Sequence, residues 1–506
     1  MSVLSTFTGA TARVPGPVWL VVVIVAAALI GLFTDVVGLV TGLGLLNVVV
    51  VVALLLKRDI TWGFLFYLTA VIFFQTGFWF RLPGFPDLYP SRVASTLLYL
   101  VFVAQLLMSV RAAPRIGAIE KSMMAFLAVL VISIVTSGQQ PRWLILLSGY
   151  FYPFLFYYFA RTVMTREEQL RIVFAYLVVL GIYLGVMGIL EKAKLYELVF
   201  PRFIVDPSRG EGLAKLGYRV RGIFLQPAVL GSVMTMAFFT SHLYLSSLRN
   251  IFARVAQVLL VLVSVPTIYF TQTRSVYAGF LCALMIAAVF SRQLRRMSLL
   301  LILAGMVGVF LNWDNLGTED RDVGGIGNLD TVEARIELAF EAAEIFLASP
   351  LVGCGYDNFQ EVAPLYRRPR DIPFYGHIDQ GTEGGYVLHN MVATVAAEQG
   401  LLGLVPYLLI YFLILRVSIR AYRDLPKEGL ISRDFVVCVW CAMACYFVNA
   451  MFLEYRYFEY PNVLYFFLMG CMVGIYERFV ARRRREEAGA APGTKMVALP
   501  VSGEIR

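Results

Sequence analysis

Charge is scarce in this 506-residue chain: 15% of its residues are Asp, Glu, Lys or Arg, against about 25% in ordinary soluble domains. The shortfall is filled by apolar residues, 59% of the chain, with a mean hydropathy of +0.74. A water-soluble globule of this size cannot hide so much apolar surface, which rules against a soluble enzyme and against a disordered chain. Cysteine is sparse as well, with six in all. Cys282, Cys438, Cys441, Cys445 and Cys471 lie in apolar runs and Cys354 stands alone in a polar loop, so no disulfide framework is expected. Cys438, Cys441 and Cys445 sit at helical spacing without His or Asp neighbours, which reads as core packing and not as a metal site. There is no internal repeat of constant period. No small-residue cleavage site follows the first apolar run, so no cleavable signal peptide is expected.

What the chain has instead is apolar runs of membrane-spanning length, about 20 residues each. Fourteen are read, at 17–34, 36–56, 60–80, 93–110, 122–138, 143–160, 170–190, 223–247, 255–270, 275–290, 297–312, 389–415, 434–453 and 461–479. The gaps between them alternate in charge. One set holds Lys57 and Arg58, Arg111 and Arg115, Arg161 and Arg166, Arg292 and Arg295, Arg416 to Arg433, and Arg482 to Arg485. By the positive-inside rule that side is cytoplasmic and both termini lie on it. The expected organisation is a cytoplasmic N-terminus (1–16), N-terminal spans (17–190), a periplasmic loop (191–222) and central spans (223–312). A large periplasmic loop (313–388), C-terminal spans (389–479) and a disordered, lipid-hugging cytoplasmic tail (480–506) complete it.

The two long outer loops are rich in arginine: Arg202, Arg209, Arg219, Arg221, Arg321, Arg335, Arg367, Arg368 and Arg370. A guanidinium fork suits phosphate oxygens better than a point ammonium does. A solvated basic loop facing anionic headgroups is the plainer alternative. Within the larger loop, Asp330–Ser349 is expected to be a helix, with Glu333 completing a capping box and Pro350 ending it. Glu333, Glu337, Glu341 and Glu344 form a polar stripe, and Ile336, Phe340, Ala343 and Leu347 an opposite apolar one that can lie on the membrane or cap the bundle. Gly353 and Gly355 permit a tight turn after it. Of the three histidines, His242 is expected to make an interhelical hydrogen bond and His377 to be solvated. His389 stands where the loop re-enters the bilayer, beside Asn390. Imidazole is the side chain best poised to take a proton near neutral pH.

Four segments in order resemble one family. HNMVATVAAEQGLLGL (389–404) resembles the His-Asn…Glu-x-Gly-Leu-x-Gly-Leu signature of the O-antigen ligase and O-antigen polymerase superfamily. ARIELAFEAAEIFLASPLVGCGYDNF (334–359) is similar to its Arg-led helix and Pro-Leu-x-Gly-x-Gly turn. TQTRS (271–275) resembles its Thr-x-Ser-Arg step, with Thr273 for Ser, and RVRGIFLQPAVLGS (219–232) its Arg-x-x-Gly-x-Phe…Pro-x-x-Leu-Gly segment, with Gln226 for Asn. The resemblance implies an all-α polytopic bundle of about fourteen spans, of the C-type glycosyltransferase kind, in the bacterial inner membrane. It implies transfer of a glycan from undecaprenyl pyrophosphate to a hydroxyl acceptor on the periplasmic face, without metal or cofactor. His389 would be the general base; Arg219, Arg274 and Arg335 would hold the pyrophosphate, with Arg221 a second candidate at the first of these positions.

The chemistry agrees with those residue types. Glycosyl transfer from a diphosphate needs an acceptor O–H weakened by a base and a stabilised leaving group. Arg274 lies in a four-residue gap between spans, where a guanidinium near hydrocarbon is expensive without an anionic partner. Snorkelling to headgroups is its alternative. Polymerisation of lipid-linked repeat units is the leading expectation, and ligation to lipid A–core or another terminal acceptor the alternative. A lipid-linked oligosaccharide flippase is disfavoured, because the spans are nearly free of charge and show no inverted repeat. The expected partners are the lipid-linked donor, the glycan or glycolipid acceptor, membrane lipids and other proteins of polysaccharide assembly, with no nucleic acid.

Overall fold

The computed structural model describes residues 60–73, 90–108, 114–136, 142–206, 219–248, 250–311, 313, 330–372, 376–378 and 387–488. The expected spans at 17–34 and 36–56 lie outside them. The chain divides into two units, 1–111 and 112–506. In the first, α1 (Thr61–Phe73) packs on α2 (Pro90–Leu107). The second begins with α3 (Ala118–Thr136), α4 (Trp143–Val163, with a π-helical turn at Leu147–Phe151), α5 (Glu167–Lys192), α6 (Pro227–Leu248) and α7 (Ile251–Phe270). It continues with α8 (Arg274–Phe290), α9 (Arg295–Leu311), α10 (Asp330–Ala348), α11 (Met391–Asp424), α12 (Arg433–Ala450) and α13 (Glu459–Glu487). A two-stranded antiparallel ribbon, β1 (Arg370–Ile372) and β2 (Gly376–Ile378), pairs Asp371 with His377.

The chain is an all-α polytopic membrane protein. Each of the apolar runs from 60–80 onward falls on a helix. Among the described residues, eight helices are long and apolar enough to cross a bilayer: α3 to α7 and α11 to α13. The short runs at 275–290 and 297–312 become helices of 17 residues, α8 and α9. At 1.5 Å per residue each is about 25 Å long, less than the ~30 Å hydrocarbon core.

Lipid is as apolar as leucine, so packing within a membrane depends on close backbone approach. The α4–α13 crossing shows it. A Cβ built on Gly470 would lie 2.2 Å from the Tyr157 carbonyl oxygen, and one on Gly474 2.4 Å from that of Arg161. Helix α6 is the centre of the unit, with 94% of its spanning window buried. Cys438 and Cys441 are buried, their thiols facing the Phe239 carbonyl at 3.4 Å and the Ala283 carbonyl at 3.2 Å. His242 departs from expectation. Its ring packs on Phe238, 4.9 Å between centroids, and its Nδ1 is buried without a hydrogen bond among the described residues.

Helix α11 is broken at Gly400, whose φ of 56° and ψ of −156° lie outside the helical region. The break leaves backbone groups without helical partners, and the turn after α10 supplies them. Leu401 N donates to Pro350 O (2.8 Å), Leu402 N to Leu351 O (3.1 Å), Cys354 N to Ala397 O (2.9 Å) and Gly355 N to Glu398 O (2.9 Å). The approach leaves no room for side chains: a Cβ on Gly353 would be 2.4 Å from the Glu398 carbonyl carbon, and one on Gly400 2.4 Å from that of Leu351. Gly353 and Gly355 both take positive φ, as the turn expectation requires.

Helix α10 has a buried face that neither expected stripe describes alone. Its buried face is Leu338, Glu341, Ala342 and Ile345, packed with Leu388 and Ala397. Phe340 and Leu347 of the expected apolar stripe are exposed, as are Leu351 and Val352 in the turn that follows. The interior therefore includes a glutamate, Glu341, whose Oε1 meets Arg367 at 3.1 Å, while Arg368 meets Glu344 at 2.8 Å. Those two loop arginines serve the helix.

Candidate active site

His389 is the second residue before α11, and Asn390 starts that helix by accepting Ala393 N on its Oδ1 at 3.0 Å. A capping residue fixes the chain direction at a helix start. His389, immediately before the cap, is held at φ 49°, a left-handed conformation that a non-glycine residue keeps only when its surroundings require it. The ring is half-buried and its Nδ1 is covered without a hydrogen bond among the described residues. Burial, and then the charge of the nearby Arg335, lower the imidazole pKa from its ordinary value. Both disfavour the protonated ring, so the neutral, proton-accepting form prevails near neutrality.

Arg335 lies on the first turns of α10, with Cζ 5.5 Å from the centre of the Phe452 ring, a cation–π distance. Met451, one residue earlier, is 3.9 Å from Asn390 Nδ2. The end of α12 thus touches both the histidine's neighbour and the arginine.

The other candidates meet at the turn between α7 and α8. Arg219 Nη2 donates to Thr273 Oγ1 (2.7 Å) and Nε to the Thr271 carbonyl (3.2 Å), while Val220 N bonds the Phe270 carbonyl (2.9 Å). Thr273 precedes Arg274, the first residue of α8. The irregular 219–222 segment is anchored by Glu191 at the end of α5, whose fully buried carboxylate accepts Arg221 N (3.1 Å) and Gly222 N (2.9 Å). Arg221 is turned inward, 3% exposed, with Nη2 on the Ile204 carbonyl at 3.1 Å. Of the two arginines offered at this motif, Arg219 is the half-exposed one.

The two groups lie at the same end of the bundle. Helices α8 and α12 run side by side, with Phe290 against Trp440 (5.5 Å) at one end and Gly279 against Asn449 at the other. Arg274 is therefore at the end where Asn449 leads to Met451 and Phe452, and so to Asn390 and Arg335. The structure brings His389 together with Arg335, and Arg219 together with the Thr273–Arg274 step. A cleft of about 320 Å³ opens elsewhere, between α3, the 352–358 turn and Leu402, and none of the five candidates lines it.

Sequence reasoning passed over the charged network behind the histidine. Arg456, in the loop between α12 and α13, meets Glu398 of α11 through both nitrogens, Asp357 at 2.9 Å, and Glu454 as an ion pair at its Nε edge. All four side chains are nearly inaccessible. Asp357 also accepts from Tyr457 OH (2.7 Å) and pairs with Arg142, which reaches Glu361 at 2.9 Å. Three carboxylates crowd one wholly buried guanidinium, and burial pushes the Glu454 carboxyl up to about 8. The available signal was an arginine between tyrosines, EYRYFEY at 454–460, in a gap too short to be a solvated loop.

Residues 259–408 match the family model described as O-antigen ligase. That stretch contains the 271–275 step, the α10 helix and turn, and the histidine motif; the 219–232 segment precedes it. A search of curated proteins finds no match to the chain.

Proposed function

We propose that this chain, whose residues 259–408 carry an O-antigen ligase domain, is a membrane glycosyltransferase of bacterial surface-polysaccharide assembly. It takes a glycan from undecaprenyl pyrophosphate on the periplasmic face of the inner membrane and passes it to a hydroxyl acceptor. His389 accepts the acceptor proton as the oxygen attacks the anomeric carbon, and Arg219, Arg274 and Arg335 carry the charge of the departing diphosphate. A guanidinium keeps its charge at every physiological pH, so it can stabilise that leaving group directly. One direct displacement inverts the anomeric centre.

The observation that carries this reading is the placement of a half-buried, neutral-leaning imidazole beside Arg335, at the bundle end that also holds Arg219 and Arg274. A base that must accept a proton and a cation that must meet an anion are both supplied within one end of the fold. Isolating the purified protein with a lipid-linked glycan and an acceptor tests it. Transfer without any ion gradient supports an enzyme and contradicts a flippase; a covalent glycosyl-enzyme intermediate would contradict single displacement.

Polymerisation of lipid-linked repeat units is the acceptor reading we adopt. Ligation to lipid A–core or another terminal acceptor is the second, favoured by the description of the matching family. Glycan length on removal of the protein separates them. Single repeat units on the acceptor indicate a lost polymerase, and long chains left on the lipid carrier a lost ligase.

A further inference from the structure

At the end of the bundle opposite His389, a cavity of about 140 Å³ lies between the end of α8, the turn into α9, the end of α11 and the start of α12. Arg292, Arg295, Lys427 and Arg433 line it, with Tyr422 and Asp434. Asp434 offsets one of those four charges and leaves the lining net positive. It is buried, its Oδ1 accepting from Ser291 Oγ (2.6 Å) and Arg292 N (3.0 Å). Two of the arginines are fixed in place by carbonyls at helix ends: Arg295 by Ala288 (2.9 Å) and Val289 (3.0 Å), Arg433 by Leu425 (3.2 Å) and Arg423 (2.8 Å). The other two, the Arg292 guanidinium and the Lys427 ammonium, are exposed and make no hydrogen bond or ion pair among the described residues.

The position matters as much as the charge. Tyr422 packs on Trp440 at 4.9 Å and donates to the Phe290 carbonyl at 3.0 Å, an aromatic group of the kind that marks the headgroup level. Val289 and Phe290, on the cavity's edge, are exposed apolar residues at the end of an apolar helix. A concave site with four cations beside such an edge offers a phosphate oxygen charge-assisted donors and its hydrocarbon tail a neighbouring apolar surface.

We infer that this cavity binds a phosphate-bearing anion, the headgroup of an acidic phospholipid or a free phosphate, through Arg292 and Lys427 with Arg295 and Arg433 as its walls. The site is separate from the proposed active site and does not depend on that reading.

Native mass spectrometry of the purified full chain tests it, after reconstitution in phosphatidylcholine containing cardiolipin or phosphatidylglycerol. The wild type retains acidic lipid, and the Arg292→Ala/Lys427→Ala variant retains about tenfold less. Retention that survives millimolar inorganic phosphate assigns the site to a lipid headgroup; displacement by phosphate assigns it to a free phosphate. An Arg482→Ala/Arg483→Ala variant removes two exposed charges from the lipid-hugging end of α13, outside the cavity, and loses much less bound lipid than the Arg292/Lys427 variant. Equal retention by wild type and the Arg292/Lys427 variant, or an equal loss in the Arg482/Arg483 variant, overturns the proposal.

Discussion

Arg456 closes on both carboxylate oxygens of Glu398, its Nη2 2.9 Å from Oε1, with both side chains almost completely buried. The pair joins the loop after α12 to the part of α11 that lies between His389 and the Gly400 break. Asp357 extends the tie to the turn after α10, because its backbone N donates to Glu398 Oε2 at 2.8 Å. Three segments that bear or adjoin the candidate site are thus pinned to one guanidinium. A site held by such a supporting shell keeps its geometry; one without it drifts.

Removing the guanidinium leaves three carboxylates buried together. Arg456→Ala is expected to destabilise the protein by about 3–5 kcal/mol, the usual cost of orphaning a buried charge. Thermal unfolding in detergent measures it.

Glu454→Gln behaves differently. With the Glu454 carboxyl pushed up to about 8 by burial, the folded state keeps a proton that the unfolded chain releases from about pH 4.3 upward. Stability contributed by that proton is present at low pH and is lost as pH rises through that window. The Gln variant is expected to match the wild type at acid pH and to exceed it near pH 8; a melting curve with the same pH slope as the wild type contradicts this.

Gly400→Ala forces a Cβ to within 2.4 Å of the Leu351 backbone at a positive φ. The φ of 56° with ψ of −156° is a combination essentially confined to glycine and costs another residue on the order of 1–3 kcal/mol, and here the clash is with main chain that cannot swing aside. The expected result is a lowered melting temperature together with loosened docking of the 350–355 turn, visible as faster amide exchange at Leu401 and Leu402.

The lowered pKa of His389 comes first from burial and then from Arg335. Transfer should therefore rise with pH through a value below that of an ordinary imidazole and be level near neutrality. Arg335→Gln removes the second cause and leaves the first, so the acid limb moves to higher pH even as the rate falls. An unmoved limb in the pH–rate profile would separate His389 from Arg335.

Much of the fold was legible because hydrocarbon imposes a simple rule: the apolar runs from residue 60 onward fall on helices, and α10 covers Asp330–Ala348 where a helix over Asp330–Ser349 is expected. The buried face of α10 was not legible. Periodicity shows a stripe but not which medium it meets, and here Phe340 and Leu347 stay outside while Glu341 goes in to Arg367. The candidate site was legible where short motifs carry it, at His389 and Arg274. The Arg456 network was not, since its members come from 357, 398, 454 and 456 and meet only after the Gly400 break lets the turn approach. Nor could spacing separate Arg219 from Arg221, two residues apart in an irregular segment: the αR backbone at Arg221 and the positive φ of Gly222 leave Arg219 on Thr273 and turn Arg221 onto the buried Ile204 carbonyl.

Proton removal from the acceptor falls to the imidazole of His389. Its most direct test is the rate at which purified His389→Ala moves glycan from a lipid-pyrophosphate donor to a hydroxyl acceptor, measured beside wild-type protein of equal melting temperature. A loss of about 10²-fold or more, the usual contribution of a positioned general base, is the expected result. Transfer at the wild-type rate would contradict it.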